Sequence, residues 1–245
     1  NTGTASLGDN AGDTLTFTGG LATTGNATNP SGTNLAGTIA TTNTNMDLGV
    51  STATAAATLS AGTATITMAS TLAGGANALT FTADEIDFSG GANSITGTST
   101  ILLQPSTDAT SIGIGGAAGT LSLTTADIAA LTNGYTSITI GRAATGAHAI
   151  IIDAITFTDP VTIRAPAGAG SITVNGQITG NGNASVTLDG PGATTTLNAD
   201  IVTAGNAITI SDNVLIGAAA VTLNSANGVP AGANIGITGT TDSEP

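Results

Sequence analysis

The sequence predicts an all-β fold, a parallel β-helix (β-solenoid) with three strands per coil of about 22 residues and one short helical insertion near 124–131. Three observations lead there. Short strand-like runs recur at a fixed step, three interleaved sets of them do so at once, and Gly, Asn, Asp and Pro punctuate the gaps. The first set is 149–152, 171–174, 194–197 and 214–216. The second is 155–157, 177–179, 201–203 and 221–223; the third is 138–140, 161–163, 186–188 and 208–210. In runs such as Ser171-Ile172-Thr173-Val174, alternate apolar residues point into the coil and stack on the same position of the next coil, while Thr points out. A β-sandwich would need longer strands, hairpin turns and more aromatic residues, and it gives the recurring step no origin.

Taken in order, residues 1–60 are the least regular. Thr14-Leu15-Thr16-Phe17-Thr18 alternates and ends at Gly19-Gly20, but 21–45 is rich in Thr, Asn, Gly and Ser. This region is expected to form irregular N-terminal rungs, or else an arm exchanged with a neighbouring subunit by strand addition. The β-helix proper is expected over 61–240. There Thr65-Ile66-Thr67-Met68 leads to Leu79-Thr80-Phe81, which recurs as Ile101-Leu102-Leu103 and Leu121-Ser122-Leu123. Glu85-Ile86-Asp87-Phe88 alternates, with Ile86 and Phe88 inward and both carboxylates outward. Gly74-Gly75, Gly90-Gly91, Gly115-Gly116 and Asn133-Gly134 supply corners. From Thr124 the pattern changes: Thr124 and Asp127, followed by Ile128 and Leu131 at helical spacing, predict one or two helical turns. Strands resume and reach Ile235-Gly236-Ile237, and 241–245 reads as an acidic tail.

The net charge is −13, from 15 acids against Arg142 and Arg164 alone. A surface of that sign repels phosphates, so nucleic acid and anionic membranes are excluded as partners. It suits an extracellular setting. Without cysteine there are neither disulfides nor thiolate metal sites. A mean hydropathy of +0.33 places the chain with folded rather than disordered sequences despite only 7% charged residues. The apolar run 147–157 is broken by His148 and Asp153 and is too short to span a membrane. A start at Asn1 with no signal sequence reads as a mature form or a fragment.

The run from Ala83 to Gly97, with Ser111-Ile112-Gly113-Ile114-Gly115-Gly116, Ser137-Ile138-Thr139-Ile140-Gly141-Arg142 and 207–213, resembles repeats of filamentous-haemagglutinin-like large bacterial surface proteins. The likeness covers about residues 79–240 and rests on Gly, Ala, Thr and Ile. It implies a right-handed parallel β-helix displayed outside the cell, in adhesion, surface layers or fibres. It implies no catalytic residues.

Candidate chemistry is sparse. Glycan-cleaving β-helices need clustered Asp beside Lys or Arg, whereas this chain has two arginines and one histidine. Arg142 and Arg164, about 22 residues apart, could stack on adjacent coils and bind an acidic neighbour, but solvated surface positions are expected. His148, between two alanines, is expected at a corner or on the surface. Asp84, Glu85 and Asp87 form the one calcium candidate, since oxygen ligands at that spacing suit the ion. Asn26-Ala27-Thr28 and Asn183-Ala184-Ser185 match the N-glycosylation triplet. Thr-x-Thr runs at 14–18, 63–67 and 80–82 have the alternation of ice-binding arrays, but in sequence they do not recur on one fixed face along the whole chain. The expected function is an extracellular structural protein without catalytic activity, a subunit of a surface filament, stalk or adhesin. Self-association through exposed end coils or the N-terminal arm is expected. The alternative is a glycan-binding or glycan-cleaving β-helix.

Overall fold

In a coil of short strands, backbone amides find their partners on the coils above and below, so β structure closes without a layer of helices. The computed structural model, which describes residues 3–166, 168–190 and 194–243, has this construction. The chain is all-β, 3% helical, and its sheets are parallel, stacked as a β-solenoid. It divides into two compact units, Asn1–Ser106 with Ala126–Thr136, and Thr107–Thr125 with Ser137–Pro245.

The first unit contains β1 (Thr4–Leu7), β2 (Thr14–Phe17), β3 (Leu21–Ala22), β4 (Gly32–Thr41), β5 (Met46–Leu48), β6 (Ser51–Met68), β7 (Leu72–Ala73), β8 (Leu79–Asp87), β9 (Ile95–Thr96) and β10 (Thr100–Gln104). Helix α1 (Thr125–Ala130) belongs to it from Ala126 on. β1 and β2 both pair with β4, and the order continues β4–β6–β8–β10, parallel throughout. Inside, Leu15, Ile39, Leu59, Phe81 and Leu103 occupy successive rungs of one column. Met46, Ile66 and Ile86 form a second. Of these, all but Leu15 are at most 2% exposed. β6 runs across position 60, so no element boundary falls where the irregular region was expected to end. Its run of Ser, Thr and Ala has a single glycine and no proline to break it, and it turns its corners by shifts of register. β4 turns at Gly37, where register also shifts. Gly37 has φ 71°, and a Cβ there would run into the carbonyl oxygen of Asp13. Gly37→Ala is therefore expected to cost at least about 1–2 kcal/mol from the left-handed backbone alone, measured by denaturant unfolding.

The second unit contains β11 (Ile112–Ile114), β12 (Leu121–Leu123), β13 (Ser137–Ile140), β14 (Ala149–Ile152), β15 (Ile155–Phe157), β16 (Val161–Arg164), β17 (Ser171–Val174), β18 (Ile178–Gly180) and β19 (Val186–Asp189). It ends with β20 (Thr194–Leu197), β21 (Ile201–Thr203), β22 (Ile208–Ile210), β23 (Asn213–Ile216), β24 (Leu223–Asn224), β25 (Ile235–Ile237) and β26 (Thr241–Ser243). Its three faces are β13–β16–β19–β22–β25, β12–β11–β14–β17–β20–β23–β26 and β15–β18–β21–β24. Ile150, Ile172, Thr195 and Val214 lie in one column, as the sequence period requires. Ile138, Val161, Val186 and Ile208 form another.

Three details differ from expectation. On the face begun by β15 the partners are Ile155, Ile178, Ile201 and Leu223, so two strands start one or two residues later than the period suggests. Leu121–Leu123 does not continue the column of Leu79 and Ile101; it pairs with β11. The link between β11 and β12 packs tightly back on β11: a Cβ on Gly113 would strike the backbone of Ala117 and Ala118, and one on Gly119 the backbone of Ile112 and Gly113. The expected tail at 241–245 is a strand as far as Ser243, because Thr241, Asp242 and Ser243 pair with Val214, Leu215 and Ile216; residues 244–245 lie outside the described residues.

Candidate functional site

Asp84, Glu85 and Asp87 all lie half-buried on β8. A change of register between β6 and β8 around Gly62 puts Asp84 and Glu85 on the outer side in succession, since Ala83 and Ile86 are the fully buried neighbours. Asp84 is already engaged: its Oδ1 accepts from Ser106 Oγ at 2.6 Å and Ser106 N–H at 3.1 Å. Asp87 faces a different neighbour. Burial, and then the charge of Asp127, raise its pKa above the ordinary carboxylate value. Among the described residues no three His, Asp or Glu are gathered as a metal site requires. Asp127 itself, on α1, is 5% exposed, and its Oδ1 accepts the Phe88 N–H at 2.9 Å. The predicted helix thus clamps the end of β8 through a carboxylate.

The cations and the histidine are structural. Arg142 Nε lies 2.7 Å from Asp108 Oδ1, and Thr145 Oγ1 donates to the same oxygen at 2.7 Å. Arg164 Nε donates to the Gly141 carbonyl at 3.3 Å, and Arg164 is the register partner of Asp189 on the next coil. Burial lowers its pKa while Asp189 opposes the shift. The expectation of solvated arginines is corrected: each ties a loop to its neighbour.

His148 is corrected too. It is 0% exposed, not at the surface. Nε2 accepts the Arg142 N–H at 3.2 Å, which leaves the ring proton on Nδ1, 2.9 Å from the Thr110 carbonyl. The ring is buried because both nitrogens find backbone partners and two small alanines flank it. Burial is the main cause that lowers its pKa, and the charge of Arg142 adds to this; the Thr110 bond and Asp108 oppose it.

One buried polar pair escaped the sequence reading. Thr195 sits in a column of aliphatic residues at 0% exposure, and its hydroxyl donates to Asp212 Oδ2 at 3.0 Å. Asp212 also accepts the Asn213 N–H at 2.7 Å, and burial raises its pKa. A hydroxyl where the period calls for Ile or Val is the signal that an acceptor must lie nearby. A recess lined by Gly19, Gly20, Leu21, Ala22, Thr44, Asn45 and Asp47 contains one carboxylate and no base or cation beside it. Asn26 and Asn183 are exposed.

The end strands are the remaining feature. Among the described residues, β1 and β2 pair on one side only, with β4; β24, β25 and β26 likewise pair only with β21, β22 and β23. Ile235 on β25 is 44% exposed, and Val229 in the preceding loop is 36% exposed. No family model matches the chain, and neither a curated protein nor a solved structure matches it.

Proposed function

We propose that this chain is an extracellular structural protein, a β-solenoid subunit of a surface filament, stalk or adhesin, without catalytic activity. The carrying observation is the pair of unprotected coil edges. Natural sheets guard free edges with Lys, Pro, bulges or covering segments. β1, β2 and β25 have no charged or proline residue, and β26 has only Asp242. The apolar residues of β1 and β2, Leu7, Leu15 and Phe17, are half-buried, as are Leu223 and Ile237 at the other edge. A second copy stacking its first coil on the last coil of its neighbour would complete both ladders and cover Ile235. Such a head-to-tail contact builds a fibre when the rotation between copies does not close into a ring. Both arginines are engaged in loop contacts, Arg142 with Asp108 and Arg164 with the Gly141 carbonyl, which supports a structural use of these cations.

Light scattering across a concentration series tests this. The expected result is a mass that climbs with concentration in the wild type and stays at one chain in Ile235→Lys, which places a charge on the edge. A wild type that stays monomeric at the highest concentration overturns the proposal.

A further inference from the structure

We infer that the outer face of β2, β4, β6 and β8 is an ice-binding surface, a function that goes beyond the structural role and does not depend on how the coil ends associate. Pairing places Thr14, Thr38, Thr58 and Thr80 in one outward column. Two residues on, Thr16, Ala40, Ser60 and Thr82 form a second. The Thr-x-Thr runs at 14–18 and 80–82, which share no face that the sequence alone reveals, are thus brought onto one face by the intervening rungs of β4 and β6. The array ends at β10, where Leu102 and Gln104 take the two positions and Gln104 Nε2 donates to Thr82 Oγ1 at 3.0 Å.

Three properties give the face its chemistry. Register is unbroken from Thr38 to Ala40 against β6 and from Thr58 to Ser60 against β8, so the rungs are held at the backbone spacing. That sets hydroxyls and methyls about 4.8 Å apart across rungs and about 6.7 Å apart along each strand, close to repeat distances of the oxygen lattice of hexagonal ice. Threonine is stiff at χ1, so the array loses little side-chain freedom when water orders on it. Among the described residues, the hydroxyls of Thr14, Thr16, Thr38, Thr58 and Thr80 have no protein partner; Thr14 and Thr16 are exposed and the other three half-buried. Neither column contains a charge, an aromatic ring or a side-chain amide. A phosphate-bearing polymer would need cations, and a sugar site would need rings or several directed polar groups. A column of four threonines beside a second of Thr16, Ala40, Ser60 and Thr82, on a fixed grid, fits an ordered water lattice instead.

The test is partition of the purified chain into slowly growing ice, beside inhibition of ice recrystallisation. The wild type is expected to be enriched in the ice fraction. Thr58→Tyr, at the centre of the array, is expected to lose that enrichment to the level of a non-binding control protein, with its circular dichroism unchanged. Thr38→Lys serves in its place should the tyrosine variant fail to fold. Asn183→Tyr, at an exposed turn position between β18 and β19 in the other unit and outside any threonine column, is expected to partition like the wild type. Exclusion of the wild type from ice overturns the inference, as does retained binding in a folded Thr58→Tyr or Thr38→Lys, or loss of binding in a folded Asn183→Tyr.

Discussion

Phe81→Ala is expected to lower the unfolding free energy of the first unit by about 3–5 kcal/mol. Phe81 is 0% exposed and lies in register between Leu59 and Leu103. Its ring meets that of Phe88 edge-on, with centroids 5.2 Å apart and planes at 77°, a geometry that adds to simple burial. In a bundle, neighbouring elements could shift to refill the space. Here β8 is hydrogen-bonded to β6 on one side and β10 on the other, and the rung spacing is set by those bonds, so most of the cavity remains. Thr80→Ala, one residue away on the outer side of the strand, is the internal control and should stay within about 0.5 kcal/mol. Denaturant midpoints followed by circular dichroism measure both. Equal, small losses would mean that the aromatic pair does not hold these coils together.

What could be read from the sequence followed the regularity of each part. In the second unit every coil repeats the same short grammar, so Ile150 over Ile172 and Ile138 over Val161 could be placed from spacing alone. The face of β15 slipped because its loops vary: Thr-rich runs such as Gln177-Ile178-Thr179 leave the strand start open by one residue. The first unit was harder because β4 and β6 continue as strands through their corners, where Gly37 and Gly62 stand alone rather than in the paired turn residues that announce a corner elsewhere. Thr14 and Thr80 share an outward column, yet 24 and 22 residues separate Thr14 from Thr38 and Thr58 from Thr80, with 20 between Thr38 and Thr58, so no single period joins them. Side-chain roles were less legible still. The partners of His148 are backbone groups, one of them 38 residues away, and backbone groups leave no mark in a sequence. Asp127 likewise reads as a helix-start residue, and only the fold brings the Phe88 N–H to it.

His148 makes the second unit acid-sensitive in a way that one substitution should remove. Its Nε2 lone pair is spent on the Arg142 N–H, so a second proton on the ring breaks that bond and creates a buried charge near the Arg142 cation. Asp108 is the one facing charge that favours the imidazolium. The folded pKa therefore lies below the ordinary value of about 6.5, and the unfolded chain takes up the proton first. Stability is full above that value and falls as pH drops through about 6.5 toward the lowered folded pKa, below which the loss levels off. Asp212, with its pKa raised, has the opposite sign: the folded state is protonated first, so its contribution grows as pH falls toward the carboxylate range. Urea midpoints of the second unit between about pH 7.5 and 5.5 should therefore decline in the wild type and stay flatter in His148→Gln, whose amide can donate to Thr110 and accept from Arg142. His148→Ala should also be flat, but lower by about 1–3 kcal/mol throughout, because the Thr110 carbonyl and Arg142 N–H lose their partner. If all three proteins share one slope, the acid sensitivity of this unit lies in its carboxylates and the imidazole is only a spacer between the loop at 141–148 and the segment at 108–110.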